Sequence, residues 1–553
     1  MHSGGFAVDS SSSAGPIEIA GLTLNRMPMA RVGVGQAEPI VFVAPDEELR
    51  ISWHLECAMG NSSTGREACR GHGQASYRLS LFQSTANGAT ETANAVVRTA
   101  SGKTDTARVL LAPPGRLQPD TRYVVLLSVV TTLGGEMSAS ASFATALHLP
   151  DWNSSAWISG FTSLRSEFEL QQVVSSVASA SVYASGVGCF QASLNGQLLS
   201  DSVLDPGFST SYTHRVLYNA FAVESKLERR NAIGVRLGFC KYGYMDEYCT
   251  PATSPAASDA SCRALNIQLR IRYKDGSSQL IATGADNGIG KSAWDGTTDH
   301  NPVTYSHIYH GEKRDDRLLQ PGWDRAGFKA STPGYTEVWR PASAWVHADK
   351  LGKLTLHAMP TIGPTLALNP VSKVVLNSTQ TDEVRFLFDF GVNQAGFSRI
   401  NITALVADGV ESVITMKHAE TANANGVVNA YCGGQAPCVV DDWSFNLANQ
   451  TNQVTLRPGV RQHSFTPFSA YAGFRFVEVR WLNMPEGAEF TLESMHVHTR
   501  VQPVGHVHFN STILNKIQDA ILRTQLNNLH SLPSDCPTRY ASSRAALFHC
   551  AAP

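Results

Sequence analysis

The chain has 553 residues, too many for one hydrophobic core and enough for three or four domains at roughly 150 residues each. Its 44 Lys and Arg against 46 Asp and Glu leave a net charge of -2, so no field gathers nucleic acid or an anionic membrane, and neutral partners fit better. Charged residues make up only 16%, a profile that suits turn-rich β-sandwiches over helical bundles, and no run approaches the roughly 20 apolar residues of a membrane span.

Residues 1–16 are rich in Gly and Ser and are expected to be disordered. Short alternating segments follow over 17–147, among them Leu49-Arg50-Ile51-Ser52-Trp53, Tyr77-Arg78-Leu79-Ser80-Leu81 and Tyr123 to Val129, and these predict strands. Leu117-Gln118-Pro119-Asp120-Thr121-Arg122-Tyr123 resembles the turn and tyrosine that lead into a late strand of fibronectin type III modules, which implies an immunoglobulin-like sandwich. A second β unit is expected over 157–345. It contains a hairpin at Asn195-Gly196, a buried strand over 231–238, and a disulfide-tied surface loop over 244–262. The third unit, 365–498, centres on Phe388-Asp389-Phe390-Gly391-Val392-Asn393-Gln394-Ala395-Gly396-Phe397, where aromatics and glycines mark strands packed around a bend. Then the period changes to 3.6: Leu514, Ile517, Ile521, Leu522, Leu526 and Leu529 predict a helix over roughly 511–529, with Asn510 or Ser511 placed to cap it.

Most of the ten cysteines fall into local groups, Cys57 with Cys69, Cys240 with Cys249 and Cys262, and Cys432 with Cys438. Such groups in polar stretches point to local disulfides and an oxidising compartment, while the absence of CxxC and of nearby histidines at ligand spacing disfavours structural zinc. Six N-x-Ser/Thr sequons, at Asn61, Asn153, Asn377, Asn401, Asn449 and Asn510, are compatible with a secretory route but expected in part by chance. Met1-His2-Ser3-Gly4-Gly5 has neither the basic nor the apolar region of a signal peptide, so either the chain is intracellular or its beginning is missing.

Eight segments carry a family resemblance. They are Leu194-Asn195-Gly196, Asp205-Pro206-Gly207-Phe208, Arg215-Val216-Leu217-Tyr218, Gly311-Glu312 with Asp315 and Arg317, Asp389 to Gly396, His418-Ala419-Glu420, Gly473 to Val479, and Asp535-Cys536-Pro537-Thr538-Arg539. In order and approximate spacing they resemble bacterial-type α-L-rhamnosidases of glycoside hydrolase family 78. The resemblance implies a mainly β chain: three consecutive β-sandwich or jelly-roll domains (17–147; 157–345; 365–498, the last concanavalin-like), then the truncated start of an (α/α)6 barrel at 505–539 and an unrelated tail at 540–553.

It also implies inverting hydrolysis of terminal α-L-rhamnose, which needs one carboxylic acid for the leaving oxygen and one carboxylate to activate water, roughly 6.5–9.5 Å apart. By resemblance Asp535 is an aspartate that contacts the sugar, and a glutamate general acid would follow Arg539. Tyr540 stands there instead, and residues 541–553 contain no Asp or Glu. The expectation is therefore a rhamnosidase-family chain inactive by itself, its tail arising from out-of-frame or intron translation, or else from a genuinely shorter product.

Hydrolysis would require no cofactor, and the partners would be rhamnose-containing glycosides or polysaccharides. In relatives the second unit can bind rhamnose with calcium, and Glu312, Asp315 and Asp316 would suit such a cation, but Gly311 to Arg317 alternates charge, and Asp-Arg ion pairs are the stronger reading because they explain the cluster without metal. Trp294 and Trp323 are candidate sugar-stacking rings against a more common use as core. His418 and Glu420 fall on one strand face and are read as structural, as are Asp389 and Asn393 at turns and strand ends. Two other functions stay open: a non-catalytic carbohydrate-binding protein and an extracellular adhesion protein.

Overall fold

The computed structural model describes residues 17–24, 27–28, 40–57, 73–84, 96–102, 108–112, 117–209, 211–240, 263–284, 294–308, 310–329, 339–376, 381–422, 428–429, 449–501 and 505–534. Outside these lie the N-terminal 16 residues, the loop over 244–262 with Cys249 and Cys262, the pairing partner Cys69, the pair Cys432 and Cys438, sequons Asn61 and Asn377, Asp535 and the 540–553 tail. The chain is mainly β.

In the first unit a four-stranded sheet (Met27–Pro28, Ile17–Leu24, Leu49–Cys57, Arg108–Ala112) and a five-stranded sheet (Val41–Val43, Glu136–Thr145, Arg122–Thr131, Gln74–Gln83, Val96–Gly102) share one core. Alternation selects it. In Arg122–Thr131 the residues Tyr123, Val125, Leu127 and Val129 point inward, and they meet Ile51, Trp53, Leu79 and Phe143. The Tyr123 hydroxyl accepts a 2.8 Å hydrogen bond from the Gln118 amide, the corner that the motif suggested.

The second unit also has two sheets. One runs Ser343–Ala344, Ile158–Ser159, Ala264–Tyr273, Val177–Val187, Arg215–Ala222, Lys353–Leu356; the other runs Gln197–Leu198, Cys189–Leu194, Arg230–Gly238, Ser163–Glu169, Asp295–Thr297, Arg340–Pro341. Val177–Val187 is buried on both faces over most of its length, because Val182 and Ala184 enter the core between the sheets while Tyr183 faces the first unit. There Tyr183 packs with Phe42, Trp152 and Tyr218 and donates a 2.7 Å bond to Asp120. The Asn195-Gly196 turn is as expected, with both residues at positive φ (54° and 77°) between paired strands.

A ten-stranded sheet forms the third unit, and its 21-residue strand Glu383–Thr403 pairs with Ala472–Leu482 on either side of a register shift between Asp389 and Gln394. Gly396 is required there: a Cβ would lie 1.8 Å from the Met495 carbonyl oxygen of the neighbouring strand.

Three connections between distant segments bear on how the units meet. The hairpin Val303–His307/Gly311–Asp315 leaves the second unit's sheets and joins the third unit's, parallel to Thr451–Thr455. Lys353–Leu356 pairs parallel with Arg215–Tyr218. Cys240 bonds not to a cysteine in its local group but to Cys189, 51 residues earlier. Both sulfurs are buried in a cluster shared by the second and third units, with Leu204, Phe208, Phe397, Phe468 and Met495. Spacing suggested a local pair, whereas the two strand ends are neighbours only through the register Cys189 opposite Gly238.

Among the described residues the one α-helix is Thr512–Asn527 (α1). Ser511 holds the N-cap position without a side-chain cap bond; Asn515 instead binds both the amide (2.8 Å) and the carbonyl (2.9 Å) of Phe509. The apolar stripe is exposed, with Leu514, Ile517, Ile521 and Leu522 between 45% and 57% accessible. No described helix is long and apolar enough to cross a membrane.

Candidate functional site

The segment that carries the approach to Asp535 begins where α1 ends. Leu529–His530 and Leu532–Pro533 form a two-residue ladder around Ser531, whose φ is +66°. Asn527 accepts at Oδ1 from the Ala395 amide (3.0 Å) and lies 2.9 Å from His496 Nε2, which must therefore be the protonated nitrogen that donates. His530 is buried, stacks on Tyr471 at 4.1 Å, and donates from Nε2 to the Val497 carbonyl at 3.0 Å. The Ser531 amide donates to Thr499 Oγ1 at 2.7 Å, and the Ser534 amide to the Asn528 carbonyl at 2.8 Å.

Burial pushes His530 down to about 3 and His496 to about 4. These rings are neutral at ordinary pH and serve as hydrogen-bonding posts. Sequence reading gave no role to them; the His496-Val497-His498 alternation was the available signal. Asp535, one residue past Ser534, lies outside the described residues.

Glu312 and Asp315 do not converge. Three residues apart on one strand, they leave its opposite faces. Glu312 is buried and accepts at Oε2 from Ser469 Oγ (2.6 Å), the Phe468 amide (3.2 Å) and the Ser469 amide (3.3 Å). Burial raises its pKa, and these donors oppose the rise. Asp315 accepts from the Arg317 amide (3.0 Å) and pairs with its guanidinium at 2.7 Å, while Asp316 pairs with Arg314. Among the described residues no three His, Cys, Asp or Glu side chains gather in a metal-holding arrangement, and the calcium reading draws no support from this geometry.

His418 lies between Ser398 Oγ (2.7 Å from Nε2) and the Gln450 carbonyl (2.9 Å from Nδ1), edge-on to Phe474, and burial lowers its pKa to about 4. Glu420 lies past the strand end and accepts from Asn393 at 2.7 Å, so the two belong to separate networks. Asp389 takes two 2.7 Å bonds from Arg475, which hold its carboxyl below the usual range, and a third from the Gly391 amide. His463 caps the Val460 carbonyl at 2.9 Å. Trp294 is core, its indole bonded to the Ala282 carbonyl. Trp323 is half-buried, stacked on Trp339 at 5.8 Å with the Arg236 guanidinium 5.1 Å from its ring.

Sheet-built units that grip the end of a helix and the turn after it define a class: a β scaffold that carries a helical segment. Comparison supplies the family. Residues 175–359 match the α-L-rhamnosidase N-terminal domain and residues 379–498 the bacterial α-L-rhamnosidase concanavalin-like domain, together more than half the chain. The chain belongs to the bacterial α-L-rhamnosidase family.

It is 23% identical over 364 residues to an α-L-rhamnosidase of Formosa agariphila, covering 66% of this chain and 34% of that protein. A Streptomyces avermitilis α-L-rhamnosidase is 25% identical over 398 residues, 70% of this chain and 34% of the relative. The solved α-L-rhamnosidase of Dictyoglumus thermophilum shares the fold at a TM-score of 0.71 and 23% identity, over 94% of this chain and 53% of that one. The chain thus spans about a third of the length of these curated relatives.

Proposed function

We propose that this chain supplies the accessory β units and the first barrel helix of an α-L-rhamnosidase, and that the complete protein hydrolyses terminal α-L-rhamnose from glycosides or polysaccharides with inversion. The observation that carries the reading is the order of parts: two matched β domains in succession, then α1, then a turn anchored to those domains that leads directly into Asp535. Asp535 is the sugar contact in this reading. The general acid and base lie outside the described residues. The buried Cys189–Cys240 bond supports an oxidising, extracellular or secretory setting.

The test uses the complete gene product and an aryl α-L-rhamnoside. Release of the aryl alcohol, with β-L-rhamnose as the first anomer seen by proton NMR, is expected. Turnover confined to other glycosides, or the α anomer as first product, would reject the proposal. The 553-residue chain alone, with Tyr540 where the resemblance places the acid and no Asp or Glu over 541–553, is expected to release none.

A further inference from the structure

The turn before Asp535 is held by the second unit as well as the third. Ser531 is 2% exposed, and its Oγ lies 3.2 Å from His357 Nε2 and 3.3 Å from the Phe208 carbonyl oxygen. His357 directly follows the strand Lys353–Leu356, and its amide is fixed to the Tyr218 carbonyl at 2.9 Å. Its Nδ1 is buried without a hydrogen-bond partner. An N–H at that nitrogen would be unsatisfied, so the proton belongs on Nε2, which donates to Ser531 Oγ, and the serine hydroxyl in turn donates to Phe208.

Gly207 makes room for this pair. Its φ is +93°, and a Cβ there would lie 2.9 Å from Ser531 Oγ, 3.0 Å from His357 Nε2 and 3.1 Å from Ser531 Cβ. The contact is therefore three-way: a glycine and a histidine of the second unit close on a serine from the far end of the chain, while the third unit holds the same serine's amide through Thr499.

We propose that His357 and Ser531, admitted by Gly207, are positioning residues: they tie the approach to Asp535 to the second β unit and thereby set where the sugar-contacting segment stands relative to the scaffold. The idea rests on the function proposed above for its consequence, but the joint itself is measured separately. A polar joint buried where two β units meet a helical segment has two well-defined states, closed with its hydrogen bonds or open to water, and its loss is local.

Hydrogen exchange in the 553-residue chain tests the joint. Amides of 529–534 should be protected in the wild type and exchange about tenfold or more faster in Gly207→Ala, Ser531→Ala and His357→Ala, with peptides of the first unit unchanged. His357→Gln, whose amide nitrogen can replace Nε2 as donor, should restore protection. Exchange of 529–534 as slow as in the wild type in Gly207→Ala, Ser531→Ala and His357→Ala would overturn the joint.

In the complete gene product the three disruptive variants should lower kcat/KM for an aryl α-L-rhamnoside by about tenfold, chiefly through KM, with recovery in His357→Gln. Unchanged KM despite faster exchange would overturn the positioning role. A wild type inactive on every rhamnoside counts against the proposed function alone, and the exchange result then decides the joint.

Discussion

Glu312 shows how a motif residue is used once the chain is folded. Gly311 has a φ of +104°, and a Cβ there would lie 2.1 Å from the Thr451 carbonyl oxygen of the neighbouring strand, so only glycine fits. The next residue then points into the third unit, where its carboxylate closes the 468–469 turn with three donors. Glu312→Ala strands those donors in a dry site and is expected to cost about 2–4 kcal/mol in urea unfolding, with Glu312→Gln milder because one oxygen still accepts. If packing is the whole role, the melting midpoint is the same in calcium as in EDTA; a rise with calcium would place an ion at this carboxylate. Gly311-Glu312 was thus legible as a resemblance, but its reason was not. The partner segment lies about 155 residues away, and no local pattern connects the two.

Among elements, those governed by local physics were readable. The strands around Trp53, Leu79 and Tyr123 follow from period-two alternation, the 195–196 turn from Asn-Gly, and α1 from its 3.6-residue stripe, its observed ends within two residues of expectation. Among the described residues α1 lacks cover: Ile513, Leu514, Ile517, Ile521 and Leu522 are all more than 40% exposed, and the helix is tied to the third unit's sheet at its C-terminal end, through Asn527. Five large apolar side chains on one short helix favour association. Sedimentation velocity should show concentration-dependent self-association of this chain that disappears when it is shortened to end at Val501, or when Leu514, Ile517 and Ile521 are replaced by Gln. Monomeric behaviour of all three would mean that the stripe is covered within the chain.

At the scale of the molecule the topology was hidden, because the hairpin at 303–315, the parallel strand at 353–356 and the Cys189–Cys240 bond all join segments that only the assembled sheets bring together. The same assembly buries an unusual number of titratable groups, which gives the fold a pH dependence. Burial lowers seven histidines, His307, His310, His357, His418, His496, His498 and His530, below the value near 6.5 that they take when unfolded. From pH 6.5 down to about 4 the unfolded chain binds protons that the folded chain refuses, so stability falls as pH falls across that window. Four acids act the other way. Asp205, raised to about 7 by burial, contributes stability that is full below its unfolded value of 3.8 and lost as pH rises through 7; Asp120, Glu312 and Asp316 shift in the same direction. With seven groups against four, the histidines dominate between pH 5 and 6.5. The apparent melting midpoint should therefore drop by about 5 °C or more from pH 7 to pH 5. Asp205→Asn, which keeps that site neutral at every pH, should steepen the drop by removing the opposing slope, provided that Ser202 and Asn219 still bond to it. A midpoint that rises on acidification would mean that the rings at the α1 joint and beside Ser398 are charged in the folded chain, and so not the neutral posts that hold the turn before Asp535.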